Sequence, residues 1–172
     1  GRSALYRDAV ILKARALTET GKHAEAVEAL EKALPRFDAP VSRALLLIRL
    51  GSTHKRASRA DRALGCFIDA CATDAPSWVT DIAAGEALSI MDGRAPALSS
   101  RQKFTLSRAL YISRKFDAAL GMIGDTQHEA YGVNSELDRH LLILFVRKNL
   151  NSRADEILRH YRNTTASAGM LK

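Results

Sequence analysis

The sequence predicts an all-α protein, a helical-hairpin repeat array of about nine helices. Three observations carry this prediction. Apolar residues recur every three or four positions along most of the chain, which is the period of an amphipathic helix. The 4 prolines and 10 glycines fall mostly between these apolar runs, and strand-like alternation is rare. Segments of similar pattern also recur along the chain, which is typical of stacked helix pairs.

The first two predicted helices are separated by Gly21, a helix-stop residue. Ser3–Thr20 forms the first, and its apolar line consists of Leu5, Ala9, Leu12 and Ala16. Lys22–Leu34 forms the second, and Pro35–Pro40 is its exit loop.

The next pair lies on either side of a polar break at Lys55–Ser58. Its helices are Val41–Lys55 and Arg59–Thr73, and Asp74-Ala75-Pro76 closes it. The later predicted helices are Ser77–Met91, Ser99 or Ser100 to Ser113, Phe116–Gly124, Ser135–Asn149 and Arg153–Arg162. The predicted breaks are Asp92–Pro96, Asp125–Asn134 and a frayed end from Asn163.

The second helices of successive pairs align without gaps. The aligned segments are GKHAEAVEAL (Gly21–Leu30), SRADRALGCF (Ser58–Phe67), RKFDAALGMI (Arg114–Ile123) and SRADEILRHY (Ser152–Tyr161). Their sixth positions hold Ala26, Ala63, Ala119 and Ile157. The first two segments are 37 residues apart and the last two 38, and the tetrapeptide SRAD occurs in both the second and the fourth. The middle interval is 56 residues because the helix Ser77–Met91 and the following loop are inserted there.

This pattern resembles the tetratricopeptide repeat, which has Trp-x-x-Leu-Gly-x-x-Tyr in its first helix and then Gly, aromatic, Ala, aromatic, Ala and Pro at set offsets. The best-matching unit carries Leu47, Leu50, Gly51, His54, Ala63, Phe67, Ala70 and, one place late, Pro76. The resemblance covers about three-quarters of the chain. It implies a superhelix in one domain spanning residues 1–172, with repeats near 3–38, 40–76, 99–126 and 134–163 and an inserted helix at 77–92. The alternative is a generic helical bundle whose hairpins look alike by chance.

Composition allows several kinds of partner. The net charge of +7 and a pI near 9.7 suit an acidic protein, a nucleic acid or an anionic lipid surface, and equally a solvated basic surface. Cys66 and Cys71 lie five residues apart on one predicted helix and cannot pair, so we expect reduced thiols and a cytoplasmic protein. No apolar run long enough to span a membrane and no signal peptide occur, so we expect no membrane insertion. Because the chain lacks an initiator Met, we expect it to belong to a larger protein.

The residue sets that catalysis requires are missing from the sequence. None of the histidines has a His or Cys partner three or four residues away, as a helical zinc site would need; they are His23, His54, His128, His140 and His160. Glu136 and His140 are four residues apart, a spacing that more often gives a surface hydrogen bond. No glycine-rich phosphate loop and no GxSxG elbow occur. We therefore expect a non-catalytic segment without a metal or a cofactor.

The resemblance implies that the first helices line a concave groove that takes an extended peptide. The groove candidates are Arg15, Ser52, Lys55, Arg101, Arg108, Tyr111, Arg139 and Asn149. The family's clamp for a C-terminal carboxylate is not expected, because its positions hold Ile11, Ile48, Phe104 and Leu142. Plain solvation is the alternative for each groove candidate.

The sequence thus leads to a protein-interaction or oligomerisation scaffold. Its expected partner is another protein, an acidic peptide or a second copy of the chain. By analogy with the family, the segment could be appended to an enzyme such as a bacterial glycosyltransferase. The alternative is RNA or polyanion binding by the basic groove, although aromatic residues are only 6% and no base-reading pair recurs in each repeat.

Overall fold

The computed structural model describes residues 2–91, 97–123 and 135–159, which contain helices and no strand. The helices are α1 (Arg2–Glu19), α2 (His23–Ala33), α3 (Pro40–Arg56), α4 (Ala60–Cys71), α5 (Ser77–Met91), α6 (Ser100–Ile112), α7 (Phe116–Ile123), α8 (Ser135–Arg147) and α9 (residues 151–159). A short 3-10 helix, Leu34–Arg36, extends α2. The predicted breaks at Asp92–Pro96 and Asp125–Asn134, the chain after Asn163, and Tyr161, His128 and His160 lie outside the described residues.

The chain separates into two compact units, Gly1–Ala97 and Leu98–Lys172. In unit 1, α1–α2 and α3–α4 are packed hairpins, and α3 packs on both helices of the first hairpin. The helix α5 packs on α3 and α4 in the same way. The predicted inserted helix therefore takes the place that the first helix of a further pair would take. In unit 2, the hairpin α6–α7 packs on α8. The predicted all-α class, an array of helical hairpins, is confirmed for the described residues.

A residue with left-handed backbone closes the first helix of each hairpin. These residues are Gly21, Ser58, Arg114 and Asn149, with φ of 78°, 57°, 59° and 55°. In every case the next residue donates its backbone N–H to the carbonyl five residues earlier. The pairs are Lys22 to Leu17, Arg59 to His54, Lys115 to Leu110 and Leu150 to Phe145, at 2.8, 2.9, 2.8 and 2.8 Å. This is the Schellman closure of a helix C-terminus, repeated four times.

These turns show that the predicted alignment of the fourth segment is wrong by three residues. Asn149, and not Ser152, is equivalent to Gly21. The sixth position is therefore Ala154 rather than Ile157. All four alanines at this position are buried: Ala26, Ala63, Ala119 and Ala154. Each donates its backbone N–H to the carbonyl oxygen of the residue that follows the turn residue. The tetrapeptide SRAD begins at the turn in the second segment but inside α9 in the fourth. Aligning its two copies therefore shifts the fourth segment by three residues.

Close packing within unit 1 depends on Gly51. A Cβ atom at this position of α3 would lie 2.7 Å from Cε1 of Phe67 on α4, well inside van der Waals contact. Phe67 is itself fully buried and cannot move aside. Gly51 lies seven residues before its turn residue. The same position is held by Ala14 in α1 and by Ser107 in α6, and both are small and fully buried.

The predicted apolar line of α1 is exposed. Leu5 and Leu12 are 71% and 64% exposed, and Ala9 and Ala16 are exposed as well. The counterparts of these two alanines on α3, 37 residues on, are Leu46 and Thr53, and both are buried. A preceding hairpin covers that face of α3, whereas no described element covers that face of α1. The line marks a face for packing between repeats, and the pattern in the sequence cannot show whether such a face is covered.

Replacing Gly51 with Ala should lower the free energy of unfolding by about 1–3 kcal/mol, because the new methyl group overpacks the contact with Phe67. The matched control is Gly65→Ala on α4, where a Cβ atom meets no atom within 4 Å. That change should stabilise the helix by roughly 0.5–1 kcal/mol, since Ala favours a helix interior over Gly. Chemical denaturation of both variants measures the opposite signs, and a stabilising Gly51→Ala would contradict the packing argument.

Replacing Ser58 with Gly should stabilise the protein by about 0.5–1 kcal/mol, because Gly adopts positive φ without the steric penalty of a side chain. The control is Ala57→Gly, where φ is −81° and no such relief is available. Thermal unfolding should give a higher Tm for Ser58→Gly alone. Equal effects of the two substitutions would count against the left-handed turn.

Candidate functional site

The best-defined polar arrangement in unit 2 is centred on His140 of α8, which is buried. Its Nε2 atom lies 3.0 Å from Oγ of Ser107 on α6. The Ser107 hydroxyl donates to the carbonyl oxygen of Ala119 at 2.7 Å, so its oxygen accepts from the N–H at Nε2. Ser107 thereby ties α6, α7 and α8 together. It also fixes the tautomer of His140 with the proton on Nε2.

Two aromatic rings of α6 enclose this histidine. Phe104 and Tyr111 each meet the imidazole edge-on, with ring centroids 5.7 Å apart and interplanar angles of 87° and 85°. They lie with Ser107 at helical spacing, so one face of α6 supplies all three contacts. Burial, together with the smaller effect of the positive charge of Arg108, lowers the pKa of His140 to about 4. The imidazole is therefore neutral near pH 7.

Two exposed arginines lie beside the same rings. The guanidinium of Arg108 sits over the Phe104 ring, with its central carbon 5.9 Å from the ring centroid, which is within reach of a cation–π contact. Arg108 and Arg139 line a cavity of about 250 Å³ together with Phe104, His140 and Ile143. The cavity thus combines two cations with an aromatic and aliphatic floor. Such a surface can pair with carboxylates while it packs against an apolar side chain.

The structure brings together three of the eight groove candidates, Arg108, Tyr111 and Arg139. Phe104 and His140, which complete the arrangement, were not among the candidates. Phe104 holds one of the predicted clamp positions, and the spacing of Glu136 and His140 indicated a surface hydrogen bond. The expected surface location of His140 is wrong, because the ring is buried and bonded to Ser107. The side chain of Glu136 lies outside the described residues. The recurrence of a small residue at Ser107, as at Gly51, was the available signal that another helix approaches there.

Four other candidates are not among the residues of this cluster. Lys55 is bound to α5, with Nζ at 2.8 Å from Oε2 of Glu86 and 2.9 Å from Oγ of Ser89. Ser52 donates its hydroxyl to the carbonyl of Ile48 at 2.9 Å. Arg101 is exposed in the first turn of α6. Asn149 is not on a first helix at all, because it is the left-handed turn residue after α8.

The eighth candidate, Arg15, lies in unit 1 beside a second cavity of about 170 Å³. Its other lining residues are Thr18, Glu19, Arg49 and Arg56. The sequence analysis did not associate Arg49 and Arg56 with Arg15, because they come from α3 and Arg15 comes from α1.

Unit 1 also has a cavity of opposite charge, which composition did not indicate. It measures about 520 Å³ and is lined by Asp38, Asp69 and Asp74 around a single cation, Arg43, with Leu34, Pro40, Leu47, Ala72 and Thr73. Burial raises the pKa of Asp69, and Arg43 lowers it in part. The surface of this basic protein is therefore not uniformly basic.

The part of the chain that the structure describes offers few side-chain groups for catalysis or metal binding. No group of three His, Cys, Asp or Glu residues is placed to hold a metal ion there. Both cysteines are free thiols, and burial raises the pKa of Cys66 to about 11 and that of Cys71 to about 12. Thiols with such pKa values are poor nucleophiles at neutral pH. No helix among the described residues is long and apolar enough to cross a membrane.

Comparisons with known proteins find similar solved structures. No family model and no curated protein sequence matches the chain. The TPR-like repeats of a kinesin light chain-like protein from Podosopora anserina are 17% identical, with 98% of each chain covered and a TM-score of 0.40. MamA from AMB-1 is 18% identical, with 96% of this chain and 91% of that chain covered and a TM-score of 0.36. At these identities and scores, the similarity carries no residue role over to this chain.

The low pKa of His140 makes stability depend on pH in a defined direction. The unfolded chain protonates histidine near pH 6.5, whereas the folded protein keeps His140 neutral down to about pH 4. The contribution of neutral His140 to the free energy of unfolding is therefore present above pH 6.5 and is lost as the pH falls towards 4. Relative to His140→Gln, the wild type should lose about 1–2 kcal/mol between pH 7 and pH 4.5, after allowance for solvent screening.

Urea denaturation of both proteins at the two pH values measures this difference, and the titration of other groups cancels in the comparison. An equal gap between wild type and His140→Gln at both pH values would contradict a buried neutral imidazole.

Proposed function

We propose that this chain is a non-catalytic protein-interaction scaffold whose unit 2 binds an acidic peptide segment with an apolar side chain. One observation carries the proposal. Two exposed arginines, Arg108 and Arg139, line the same cavity as the partly exposed apolar side chains of Phe104 and Ile143. The helical-hairpin fold supports a scaffold role, because stacked helix pairs present side chains from several helices to one ligand.

Each component of the cavity has a defined part in such binding. Guanidinium groups pair with carboxylates through two parallel hydrogen bonds, which favours Arg108 and Arg139 as partners for Asp or Glu side chains. Ile143 is 36% exposed and offers an apolar contact beside them. His140 is neutral and does not repel either arginine. Its hydrogen bond to Ser107 holds the floor of the cavity in place.

The alternative function, RNA or polyanion binding, would use the same arginines. Single-stranded nucleic acid also needs aromatic faces on which bases can stack. Arg108 already lies over the Phe104 ring, and Tyr111 meets both Phe116 and His140. These contacts favour a peptide over a nucleic acid. Attachment to an enzyme such as a bacterial glycosyltransferase, self-association and a cytoplasmic location stay predictions from the sequence.

The proposal predicts that reversing either positive charge of the cavity weakens peptide binding. Arg108→Glu and Arg139→Glu should each weaken the binding of a fluorescently labelled peptide of alternating Glu and Leu by about tenfold or more, since each removes a charge-assisted hydrogen bond and adds a repulsion. Fluorescence anisotropy at about 0.1 M salt, where exposed charges are partly screened, measures the affinities.

The matched control is Arg159→Glu, which makes the same change of charge at an exposed residue of α9 that does not line the cavity. Its affinity should stay close to that of the wild type. Equal losses of peptide affinity in all three variants would mean that net charge alone controls binding, and this would contradict the site. Tight binding of single-stranded RNA with a steep salt dependence, and none of the peptide, would favour the alternative function.

A further inference from the structure

Three arginines from two helices of unit 1 surround one small cavity. Arg15 comes from α1, and Arg49 and Arg56 come from α3. Arg49 and Arg56 are seven residues apart, so they lie on the same face of α3. The cavity measures about 170 Å³, and Glu19 is the one acidic residue that lines it.

The positive charge of this cavity is only partly neutralised. Nε of Arg15 donates to Oε1 of Glu19 at 2.8 Å, which leaves the terminal nitrogens of Arg15 outside that bond. Within the described ranges, no hydrogen bond or ion pair engages the guanidinium group of Arg49 or of Arg56. Burial lowers the pKa of Arg49, and the charges of Arg15 and Arg56 lower it further. The three arginines and one glutamate together carry a formal charge of +2.

The hydroxyl groups of the cavity wall are already engaged. Thr18 donates to the carbonyl of Ala14 at 2.7 Å, and its oxygen lies 3.2 Å from that of Thr53. The Thr53 hydroxyl donates in turn to the backbone carbonyl oxygen of Arg49 at 3.0 Å. Recognition of a ligand therefore falls to the guanidinium groups, which provide charge and paired donors.

We propose that this cavity binds a phosphate monoester group as its dianion. A phosphate monoester carries a charge of about −1.5 to −2 at pH 7 and three strong acceptor oxygens, which matches both the formal charge and the three guanidinium donors. A single carboxylate would leave one positive charge uncompensated. Arginine is also the side chain best suited to bind phosphate oxygens in pairs.

This cavity lies within unit 1, and the peptide cavity lies within unit 2. The phosphate can belong to a small phosphorylated molecule or to a phosphorylated residue of a partner protein, and the chemistry of recognition is the same. Two probes separate these sources. Inorganic phosphate tests the anion site alone, and a phosphoserine peptide with its unphosphorylated counterpart tests whether a chain adds affinity.

Isothermal titration calorimetry of the full chain with inorganic phosphate is the primary experiment. Arg49→Gln and Arg56→Gln should each weaken binding about tenfold or more, because a hydrogen bond to a charged group is lost. Glu19→Gln should strengthen it several-fold, because it removes the competing carboxylate and releases Arg15. A purely structural role for these residues would not produce this opposite sign. Arg62→Gln on α4, which is exposed and is not among the residues that line the cavity, is the control and should leave binding unchanged.

The outcomes are distinguishable. Circular dichroism melts confirm that each variant is folded before titration. No detectable binding of phosphate to the folded wild type, or an equal loss in Arg62→Gln and Arg49→Gln, overturns the proposal. Tight phosphoserine-peptide binding that Arg108→Glu abolishes and Arg49→Gln leaves intact also overturns it, since the phosphate would then occupy unit 2. Failure of the acidic-peptide experiment in unit 2 leaves this result unaffected.

Discussion

The arrangement of each helical hairpin depends on the backbone hydrogen bond that closes its left-handed turn. It joins the residue after the turn to the carbonyl five residues earlier, at 2.8–2.9 Å in all four turns. The bond sets where the second helix begins and hence which of its residues face the first helix. The four buried alanines from Ala26 to Ala154 occupy the same place because the turn geometry is the same. A repeat in this protein is therefore defined by a backbone conformation more than by side-chain identity.

Small residues on the first helices then decide how closely the helices approach, and with what chemistry. Ala14 and Gly51 serve packing alone, since neither side chain carries a polar atom. Ser107 occupies the corresponding place in α6 and adds a hydroxyl, which binds Ala119 and His140. One change of a small residue thus converts a packing position into a polar link between three helices. The cavity of Arg108 and Arg139 is built on that link.

Charge is distributed over this protein in local clusters of either sign. The net charge of +7 describes the whole chain, yet one cavity is lined by three aspartates and another by three arginines. Surface ion pairs within single helices, such as Lys32–Glu28, contribute little to stability because water screens them. The clusters at cavities are different, since the fold holds several like charges together there and only one residue of opposite charge lines each cavity.

The sequence by itself determined the helices. Their apolar period is local, and Gly21 and Pro76 mark two of the ends, so the predicted and observed bounds agree within a few residues. It also located a close helix contact, because Gly51 and Ala63 are small where the family pattern requires it. It did not determine the register of the fourth segment. The turn at Asn149 carries no glycine, and the chance repeat of SRAD was the stronger signal.

Only the tertiary structure decided which surfaces are covered and which charges meet. Leu5 and Leu12 have the pattern of a buried line, but burial depends on a neighbouring helix and not on the pattern. His140 is buried because α6 presents Ser107 to it from 33 residues away. Arg15 meets Arg49 and Arg56 only after α1 and α3 pack together. Periodicity encodes the contacts within a helix, whereas the contacts that form sites join residues distant in sequence, and their geometry arises from packing.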